Sequence, residues 1–311
     1  MPQGQPRRQG QGSGFVITKD GYAVTNNHVI DGAKEVKVKF SDGKSYTAKV
    51  IGTDRKTDLA LLRIKTDKTF TPVKFATTKP RVGDWVIAVG NPFGLGGSVT
   101  TGIISAEGRN IGSGPYDDYL QIDAPINKGN SGGPAFNLNG EVIGVNTAIF
   151  SPSGGSVGIG FAIPAAITQE VIDDLKDDGS VTRGWLGVQI QPVTADIAES
   201  LGLDKASGAI VTDVTGGSPA AAGGLETGDT ILDIDGAEVK NARDLARKVA
   251  TIKPGSETKM TIVRGKKQKT VEIKIGTMPK DTARMASKSR SAPGSSMATL
   301  GLKLKPSETG Q

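Results

Sequence analysis

Alternating apolar and polar positions, grouped in short runs, dominate the chain from Gly12 to about Phe161. The runs are rich in β-branched residues, and the turns between them contain glycine, often as Asp-Gly or Asn-Gly pairs that favour tight hairpins. Many short strands at this spacing predict β-barrels or a sandwich. The predicted strands are GSGFVIT, GYAVTNN, EVKVKFSDG, SYTAKVIG, LALLRI, DWVIAVG, GIISAEG, EVIGVNTAIF and GIGFAI.

The spacing of apolar residues changes after these strands to a helical period, and a helix is predicted over residues 164–179. Its apolar residues recur at helical spacing and lie on one side, and Gly179 supplies the residue at which the helix ends. These apolar residues are Ile167, Val171, Ile172 and Leu175. We expect this helix to close a first domain over residues 12–178, followed by a linker over residues 179–183.

Strands return from Gly184 and predict a second compact domain over residues 184–277. Helical stretches are expected near residues 194–201 and 241–251. Residues 1–11 predict a flexible N-terminal segment, and the polar, basic residues 278–311 predict a flexible linker. The strands predicted in the second domain are WLGVQIQPV, GAIVTDV, DTILDIDG, TKMTIVRG and KTVEIKIG.

Composition and charge narrow the classes of function. The chain contains no cysteine, which excludes a disulfide framework, a thiolate nucleophile and cysteine metal sites. The net charge is +6, but residues 279–311 contribute +4 and residues 1–8 contribute +2, so the body between them is neutral. A basic nucleic-acid footprint on the body is therefore not expected.

Hydropathy gives no membrane span, because no uninterrupted apolar run approaches the ~20 residues that one requires. The N-terminal residues MPQGQPRRQG lack the apolar core of a signal peptide. We expect any export signal to lie outside this chain.

Three polar residues stand out in chain order. His28 is the only histidine and lies in VTNNHVI, Asp58 opens the apolar stretch TDLALLRI, and Ser131 lies in NKGNSGGP. The order His, Asp, Ser is that of chymotrypsin-type enzymes. A serine hydroxyl is a weak nucleophile until an imidazole takes its proton, and a carboxylate must fix the imidazole tautomer. The three residues therefore predict a catalytic triad.

The small residues around Ser131 predict the electrophilic half of the same site. They let the backbone turn sharply, so that the N–H groups of Gly129 and Ser131 can converge on a developing oxyanion. We therefore place the oxyanion hole at Gly129, Asn130 and Ser131.

The stretches VTNNHVI, TDLALLRI, GNPFGLG and INKGNSGGP together resemble the Do-type (HtrA, DegP-like) serine proteases, from about Gly12 to Gly276. The resemblance implies a mostly β fold: a chymotrypsin-like double six-stranded β-barrel, with the first barrel lacking its first strand, followed by a PDZ domain. It implies His28 as general base and acid, Asp58 as the orienting carboxylate and Ser131 as the nucleophile. It also implies that the residues after Ala298 begin a second PDZ domain.

The same resemblance implies a substrate site beside the triad. Ile126, Phe150 and Ile159 would line a shallow apolar primary pocket, so that cleavage follows small aliphatic residues in unfolded chains. The strand of Asn146, Thr147, Ala148 and Ile149 would pair with the substrate backbone as an added strand.

Activation is expected to occur by loop ordering. Asn130 stands where zymogens have an aspartate, and a neutral amide cannot pair with a newly cut N-terminus. The resemblance implies switching through the loops Asn91–Gly97 and Arg109–Tyr119, with Phe93 and Arg109 as switch residues. The alternative for Arg109 is a solvated loop charge.

RGWLGVQI, residues 183–190, resembles the carboxylate-binding loop of a PDZ domain. The backbone N–H groups at Leu186–Val188 would hold the terminal carboxylate of a peptide that extends the neighbouring strand. The helix Ala242–Thr251 would face this peptide. The residues predicted to bind it are Trp185, Leu186, Gly187 and Val188; the alternative is a plain structural hairpin.

The leading hypothesis is a secreted, periplasmic, ATP-independent endopeptidase of protein quality control. Its partners would be unfolded proteins and C-terminal peptides, with a homotrimer or higher oligomer in the full-length protein. No metal or cofactor is implied. Two alternatives are a chaperone-like holdase in which hydrolysis is incidental and a scaffold that binds an acidic membrane surface through its basic tail. The intact triad favours the enzyme.

Overall fold

The structure is a computed structural model that describes residues 10–279. The predicted segment 1–11 lies almost entirely outside the described residues, and so does the predicted linker 278–311. Within residues 10–279 no helix combines the length and apolar character needed to cross a membrane.

The N-terminal part of the chain is built from short strands and two helices. The helices are α1 (Asn27–Ile30) and α2 (Ala165–Asp178). The strands are β1 (Phe15–Val16), β2 (Tyr22–Asn26), β3 (Glu35–Lys39), β4 (Ser45–Asp54), β5 (Leu59–Ile64), β6 (Lys74–Phe75), β7 (Trp85–Gly90), β8 (Ser98–Arg109), β9 (Tyr119–Ile122), β10 (Pro134–Phe136), β11 (Glu141–Ile149) and β12 (Gly160–Pro164).

The first five strands form one antiparallel sheet in the order β1-β2-β5-β4-β3. Its central strand β5 is apolar along nearly its whole length because both of its faces are covered. Ala60, Leu62 and Ile64 point into the core of this sheet. Leu59 and Leu61 point the other way, into a core shared with the second sheet. Within residues 10–279 no pairing joins β1 to β3, so this sheet has two edges.

The second sheet closes on itself. Its strands follow the order β10-β7-β8-β9-β12-β11, and pairing of β10 with β11 completes a six-stranded barrel. The strand β6 adds to β11 in parallel. Alternate residues of each strand fill the barrel interior, among them Val86, Ala88, Ile104 and Ile122.

Helix α2 packs Val171, Ile172 and Leu175 into the core between the two sheets. It spans Ala165–Asp178 and ends at Gly179 in the left-handed conformation, as the spacing predicts. The two sheets and this helix therefore share one apolar core, and the loops of both sheets meet at its rim.

The C-terminal part forms a separate sheet with three helices. The helices are α3 (Ala195–Leu201), α4 (Pro219–Ala222) and α5 (Ala242–Thr251). The strands are β13 (Gly184–Trp185), β14 (Val188–Pro192), β15 (Ala209–Val214), β16 (Thr230–Ile234), β17 (Ala237–Glu238), β18 (Glu257–Arg264), β19 (Lys267–Lys274) and β20 (Gly276–Thr277). The main sheet follows the order β14-β15-β16-β18-β19, and α5 buries Leu245 and Val249 in its core.

The structure differs from the predicted elements in a few places. The predicted strand WLGVQIQPV is divided into β13 and β14, because Gly187 takes a φ of +80° that extended backbone cannot accommodate. The short strands β6, β9 and β10 were not predicted, since two to four residues carry too little periodicity. The one-turn helix α1, which carries His28, was not predicted either.

Candidate active site

His28 and Asp58 are brought together by the first sheet. Strands β2 and β5 are antiparallel neighbours, so the end of β2 lies beside the start of β5, with Asn26 paired to Leu59. The His28 Nδ1 and Asp58 Oδ2 atoms are 2.6 Å apart, and the His28 backbone N–H donates to Asp58 Oδ1 over 2.9 Å. A carboxylate at this distance selects the tautomer with its proton on Nδ1, which leaves Nε2 as an acceptor.

The residues before His28 also bind Asp58. The carbonyl oxygen of Asp58 accepts the side-chain Nδ2 of Asn26 over 2.8 Å and the backbone N–H of Asn27 over 3.0 Å. Asn26 is fully buried, and its Nδ2 also donates to Thr147 Oγ1 over 3.1 Å. Asn26 therefore links the first sheet to strand β11 of the second.

Asp58 ends a turn that another carboxylate holds. Asp58 has a left-handed φ of 58°, a conformation that aspartate and asparagine tolerate better than most residues. Earlier in the turn, Asp54 accepts both the N–H and the hydroxyl of Thr57, and it pairs with the guanidinium of Arg183 through two hydrogen bonds. Burial opposes the charge of Asp54, but Arg183 and Thr57 outweigh it and hold the pKa of Asp54 below its ordinary value.

Ser131 lies in the loop before β10, on the rim of the second barrel. Its peptide neighbours are fixed from several directions. The carbonyl of Lys128 accepts the N–H of Phe93 over 2.9 Å, and the carbonyl of Asn130 accepts the N–H of Gly133 over 2.9 Å. The N–H of Gly132 donates to the Asn146 carbonyl over 2.8 Å.

The N–H groups of Gly129 and Ser131 differ from these neighbours. Neither has a hydrogen-bond acceptor within residues 10–279. Because a trans peptide unit places its C=O and N–H on opposite sides, the bonds made by the Lys128 and Asn130 carbonyls set the directions of these two N–H groups. The loop thus offers two oriented donors beside the Ser131 hydroxyl, which suits an oxyanion. Asn130, also predicted for this hole, instead donates its N–H to the Asn127 carbonyl over 3.0 Å.

The Ser131 hydroxyl itself points to strand β11. Its Oγ donates to the Thr147 carbonyl over 3.2 Å, and within residues 10–279 no hydrogen bond joins it to His28. A serine side chain changes between staggered rotamers at small cost, so its Oγ can leave this acceptor for another.

The predicted substrate residues have different surroundings. Ile126 is 2% exposed and belongs to the second-barrel core, Ile159 packs against the core between the sheets, and Phe150 is 61% exposed. The apolar pocket formed by these three residues remains a prediction.

Asn146, the first residue of the predicted substrate-binding strand, has no backbone group left to pair with a substrate. The N–H and C=O of Asn146 bind Gly133 and Gly132, so the backbone of Asn146 is already paired. Pairing of β11 with β10 ends at Val145, and the edge beyond Asn146 has no strand partner within residues 10–279. The edge that an added strand could use therefore consists of Thr147, Ala148 and Ile149.

The two predicted switch residues, Phe93 and Arg109, form hydrogen bonds with different parts of the chain. Phe93 has a left-handed φ of 56° and holds the Lys128 carbonyl directly behind Gly129. Arg109 ends β8 and donates to the Gln121 side chain over 2.8 Å. The loop after Arg109 contacts helix α5 of the C-terminal part, because Asp118 forms an ion pair with Arg247.

The predicted carboxylate-binding loop connects β13 to β14. The Leu186 carbonyl accepts the N–H of Ala220 over 2.9 Å, and the Gly187 carbonyl accepts the N–H of Thr215 over 2.8 Å. By peptide planarity, the N–H groups of Gly187 and Val188 point away from those partners. Trp185, in β13, pairs with Gly276 of β20, and the Leu186 side chain is buried in the core of the C-terminal part. Strand β14 pairs only with β15 within residues 10–279, so its other edge is unpaired, and α5 packs nearby.

Sequence reasoning missed two residues of this site, Ser13 and Asn26. Ser13 contacts the backbone on both sides of Asn130, and Asn26 joins Asp58 to Thr147. A polar residue between two glycines in GSG, and the paired asparagines of TNNH, are the signals that could have indicated them.

Two family models match this chain. A trypsin-like peptidase domain matches residues 12–145, and a PDZ domain matches residues 184–275. Among curated proteins, a probable periplasmic serine endoprotease, DegP-like, of Rhizobium meliloti (strain 1021) is 55% identical over 317 residues, covering 99% of this chain and 63% of that protein. A protein of the same description from Brucella suis biovar 1 (strain 1330) is 55% identical, covering 99% of this chain and 61% of that protein. The chain thus spans about three fifths of the length of these relatives.

Solved structures of serine proteases are also similar to this chain. The HtrA-type protease AlgW with a decapeptide is 44% identical, with a TM-score of 0.77, covering 86% of this chain and 83% of that chain. A serine endoprotease from Yersinia pestis is 36% identical, with a TM-score of 0.67, covering 86% of this chain and 89% of that chain. These comparisons confirm the predicted mostly β fold, a trypsin-like barrel domain followed by a PDZ domain.

Proposed function

This chain belongs to the HtrA-type, DegP-like family of serine proteases, and we propose that it hydrolyses peptide bonds by an acyl-enzyme mechanism. His28 acts as general base and acid, Asp58 orients it, and Ser131 is the nucleophile. The observation that carries this proposal is the 2.6 Å contact between His28 Nδ1 and Asp58 Oδ2. It lies at the rim where the Ser131 loop has two N–H groups that are unpaired among the described residues 10–279.

In the proposed reaction, the Ser131 hydroxyl leaves the Thr147 carbonyl and turns to His28 Nε2. The oxygen attacks the scissile carbonyl carbon while Nε2 takes the proton, and Asp58 stabilises the resulting imidazolium. The carbonyl oxygen becomes an oxyanion held by the N–H groups of Gly129 and Ser131. The C–N bond then breaks as His28 protonates the leaving amine, and water attacks the acyl-enzyme in the second half of the cycle.

Substrate is proposed to bind along β11 as an added strand. The edge of Thr147, Ala148 and Ile149, which has no strand partner among the described residues, supports this mode, since backbone pairing gives affinity with little sequence selectivity. With Ile126, Phe150 and Ile159 as an apolar pocket, cleavage is expected after Val, Ala or Ile in unfolded chains. A cleavage profile dominated by Lys and Arg would contradict this specificity.

The C-terminal sheet is proposed to hold the free carboxyl end of a peptide. The N–H groups of Gly187 and Val188, which point away from the Ala220 and Thr215 N–H groups bound to the preceding carbonyls, support this role. The edge of β14 that has no strand partner within residues 10–279 can receive an added strand. We expect peptides that end in an apolar residue to bind, and the same peptides with an amidated C-terminus to lose that binding. Equal affinity for both forms would contradict the carboxylate role.

The relatives, which are described as probable periplasmic serine endoproteases, support a proposal for where this chain acts. We propose a periplasmic protein that cuts misfolded chains without ATP and works as a homotrimer or higher oligomer at full length. The competing holdase hypothesis predicts retention of clients with no dependence on the Ser131 hydroxyl.

Digestion of casein separates the enzyme from the holdase. The unaltered chain is expected to degrade casein and to be labelled covalently by a fluorophosphonate probe, whereas Ser131→Ala loses both while keeping its melting temperature. Proteolysis that survives in Ser131→Ala would contradict the proposed nucleophile. An assembled, unaltered protein that neither cuts nor is labelled would favour the holdase.

A further inference from the structure

Ser13 lies just before β1 and contacts the Ser131 loop although it is 118 residues away in the chain. Its hydroxyl donates to the Gly129 carbonyl over 2.7 Å, and its backbone N–H donates to the Ser131 carbonyl over 2.8 Å. These acceptors belong to the two residues whose N–H groups form the proposed oxyanion hole.

Two further hydrogen bonds hold Ser13 in place. Its Oγ accepts the N–H of Asn91 over 2.9 Å, and its carbonyl accepts the hydroxyl of Thr25 over 2.7 Å. Thr25 lies on β2 three residues before His28, and Asn91 begins the loop that contains Phe93. Ser13 therefore joins three segments that the chain presents separately: the His28 strand, the Asn91 loop and the Ser131 loop.

The position of Ser13 controls peptide units on both sides of Asn130. The Gly129–Asn130 unit is held by the Ser13 hydroxyl at its carbonyl and by Asn127 at its N–H. The Ser131–Gly132 unit is held by the Ser13 N–H at its carbonyl and by Asn146 at its N–H. With these planes fixed, the intervening N–H of Ser131 and the preceding N–H of Gly129 have little freedom to rotate away from a common point.

The packing around Ser13 is tight on the side of the nucleophile. A Cβ added to Gly12 would lie 2.9 Å from the Ser131 carbonyl oxygen and 2.6 Å from a methyl group of Val29. The glycine at this position lets the segment approach the Ser131 backbone closely enough for the hydrogen bonds of Ser13.

We propose that Ser13 is a positioning residue of the oxyanion hole, acting through the Gly129 and Ser131 carbonyls, and this inference rests on the proposed protease function. Ser13 donates to backbone carbonyls rather than to substrate. Its hydroxyl also couples the Asn91 loop to the hole, because one Oγ atom both accepts from Asn91 and donates to Gly129.

A positioning role predicts a specific kinetic signature. Removing a direct oxyanion donor costs about 10²–10³ in kcat. Loss of the Ser13 hydroxyl leaves both donors present but less well directed, so Ser13→Ala is expected to lower kcat about 10- to 100-fold, below the cost of a lost donor. KM is expected to change less than threefold, since the hole contacts the transition state more strongly than the ground state. Affinity for a peptide boronic acid, which forms a tetrahedral adduct on Ser131, is expected to fall in parallel with kcat.

The decisive variants are Ser13→Thr and Ser13→Val, which have nearly the same shape and differ in the hydroxyl. They are compared in the full chain, with hydrolysis of an unfolded substrate, boronic acid affinity and melting temperature measured for each. Ser200→Ala is the matched control, because its hydroxyl donates to the Ile197 carbonyl over 2.8 Å within the PDZ helix α3. The unaltered protein and Ser131→Ala test the proposed function independently.

Ser13→Thr is expected to keep at least a third of the unaltered kcat, while Ser13→Val falls with Ser13→Ala and Ser200→Ala is unaffected. If Thr and Val variants have equal kcat and equal boronic acid affinity, the hydroxyl has no positioning role and the inference is overturned. The same conclusion follows if Val changes KM alone, or if its kcat loss is explained entirely by the unfolded fraction. Hydrolysis that is absent from the unaltered protein, or that persists in Ser131→Ala, would instead overturn the proposed function.

Discussion

The two halves of the proposed site are built in different ways. The acid–base half, His28 and Asp58, is held within one sheet, where the end of β2 places Asn26 and Asn27 on the Asp58 carbonyl and His28 on its carboxylate. The electrophilic half at Ser131 depends on donors from Ser13, Phe93 and other distant loops. The first half follows from strand pairing, whereas the second requires several loops to be ordered together.

This difference indicates which half of the site would respond to the expected regulation of the proposed activity. The pairing of β2 with β5 is lost only when the first sheet unfolds, so the His28–Asp58 contact persists as long as that sheet does. The Gly129 and Ser131 donors depend on loops whose order can change without unfolding a barrel. Activation by loop ordering, if it operates as expected, would therefore act on the proposed oxyanion hole and the rotamer of Ser131 more readily than on the acid–base pair.

The largest effect is expected from Asp58→Asn. Asparagine keeps the size of the side chain and tolerates the left-handed φ of 58°, so the turn should survive. Its amide no longer selects the Nδ1 proton of His28, and kcat is expected to fall by about 10⁴. Measurement of kcat beside the melting temperature checks this, and a loss smaller than tenfold would show that Asp58 does not orient His28.

The next effect is expected from Gly129→Ala in the electrophilic half. A Cβ at Gly129 would lie 2.3 Å from the Asn91 carbonyl oxygen, and the residue has a φ of +111°. The clash displaces the Gly129 N–H, so kcat is expected to fall by about 10²–10³, as for a lost oxyanion donor.

Gly140→Ala is the matched control for Gly129→Ala. It also has a positive φ, of 73°, but its Cβ would meet nothing within 4 Å. We expect it to keep the unaltered kcat with a modest loss of melting temperature. Equal kcat losses in both variants would assign the effect to general backbone strain rather than to the oxyanion hole.

A smaller effect is expected from Asn26→Ala, at the junction of the two halves. The Asp58 carbonyl keeps the Asn27 N–H as a donor, but Thr147 and Asp58 are no longer joined. Loss of hydrogen bonds from one buried side chain is expected to cost about 1–3 kcal/mol of stability. If roughly half of that cost is borne by the site geometry, we expect kcat to fall about twofold to tenfold. The exposed Asn139→Ala is the control, and an unchanged kcat in Asn26→Ala would limit Asn26 to a structural role.

The sequence was sufficient for the longer strands, but not for β6, β9 and β10, and it gave the chain order of the three proposed catalytic residues. The apolar residues of helix α2 recur often enough to predict its buried face, and the short apolar run LALLRI predicts the strand β5 but not which residues face which core. The contacts of Ser13 were not predictable, because a GSG segment reads as a loop until the fold brings it beside Ser131. Likewise, the hydrogen-bond partner of the Ser131 hydroxyl depends on the rotamer of the Ser131 side chain, which the spacing of residues along the sequence does not determine.

The smallest effect on activity is expected from Asp54→Asn, which tests whether the acid–base half depends on a contact with the linker. Asp54 is buried and paired with Arg183, so the substitution leaves a buried guanidinium without its counter-charge. Stability at neutral pH is expected to fall by about 3–5 kcal/mol, the usual cost of breaking a buried pair. The kcat of the folded fraction should change less than threefold, because the strand pairing that holds His28 against Asp58 is untouched.

The lowered pKa of Asp54 determines how the loss of stability in Asp54→Asn changes with pH. The pKa of Asp54 is lowered in the folded chain, so its stabilisation is present above the unfolded value of about 3.9 and is lost as pH falls through the folded pKa. The stability gap between the unaltered chain and Asp54→Asn should therefore narrow below about pH 4, the range in which an unfolded aspartate gains its proton. Asp84→Asn is the control: the Arg81 backbone N–H and guanidinium also lower the pKa of Asp84, but the pair is exposed, so its gap should follow the same direction and be much smaller than that of Asp54→Asn. Denaturant melts between neutral pH and the acid range measure both, and a constant gap for Asp54→Asn would mean that the charge of Asp54 does not stabilise the turn before Asp58.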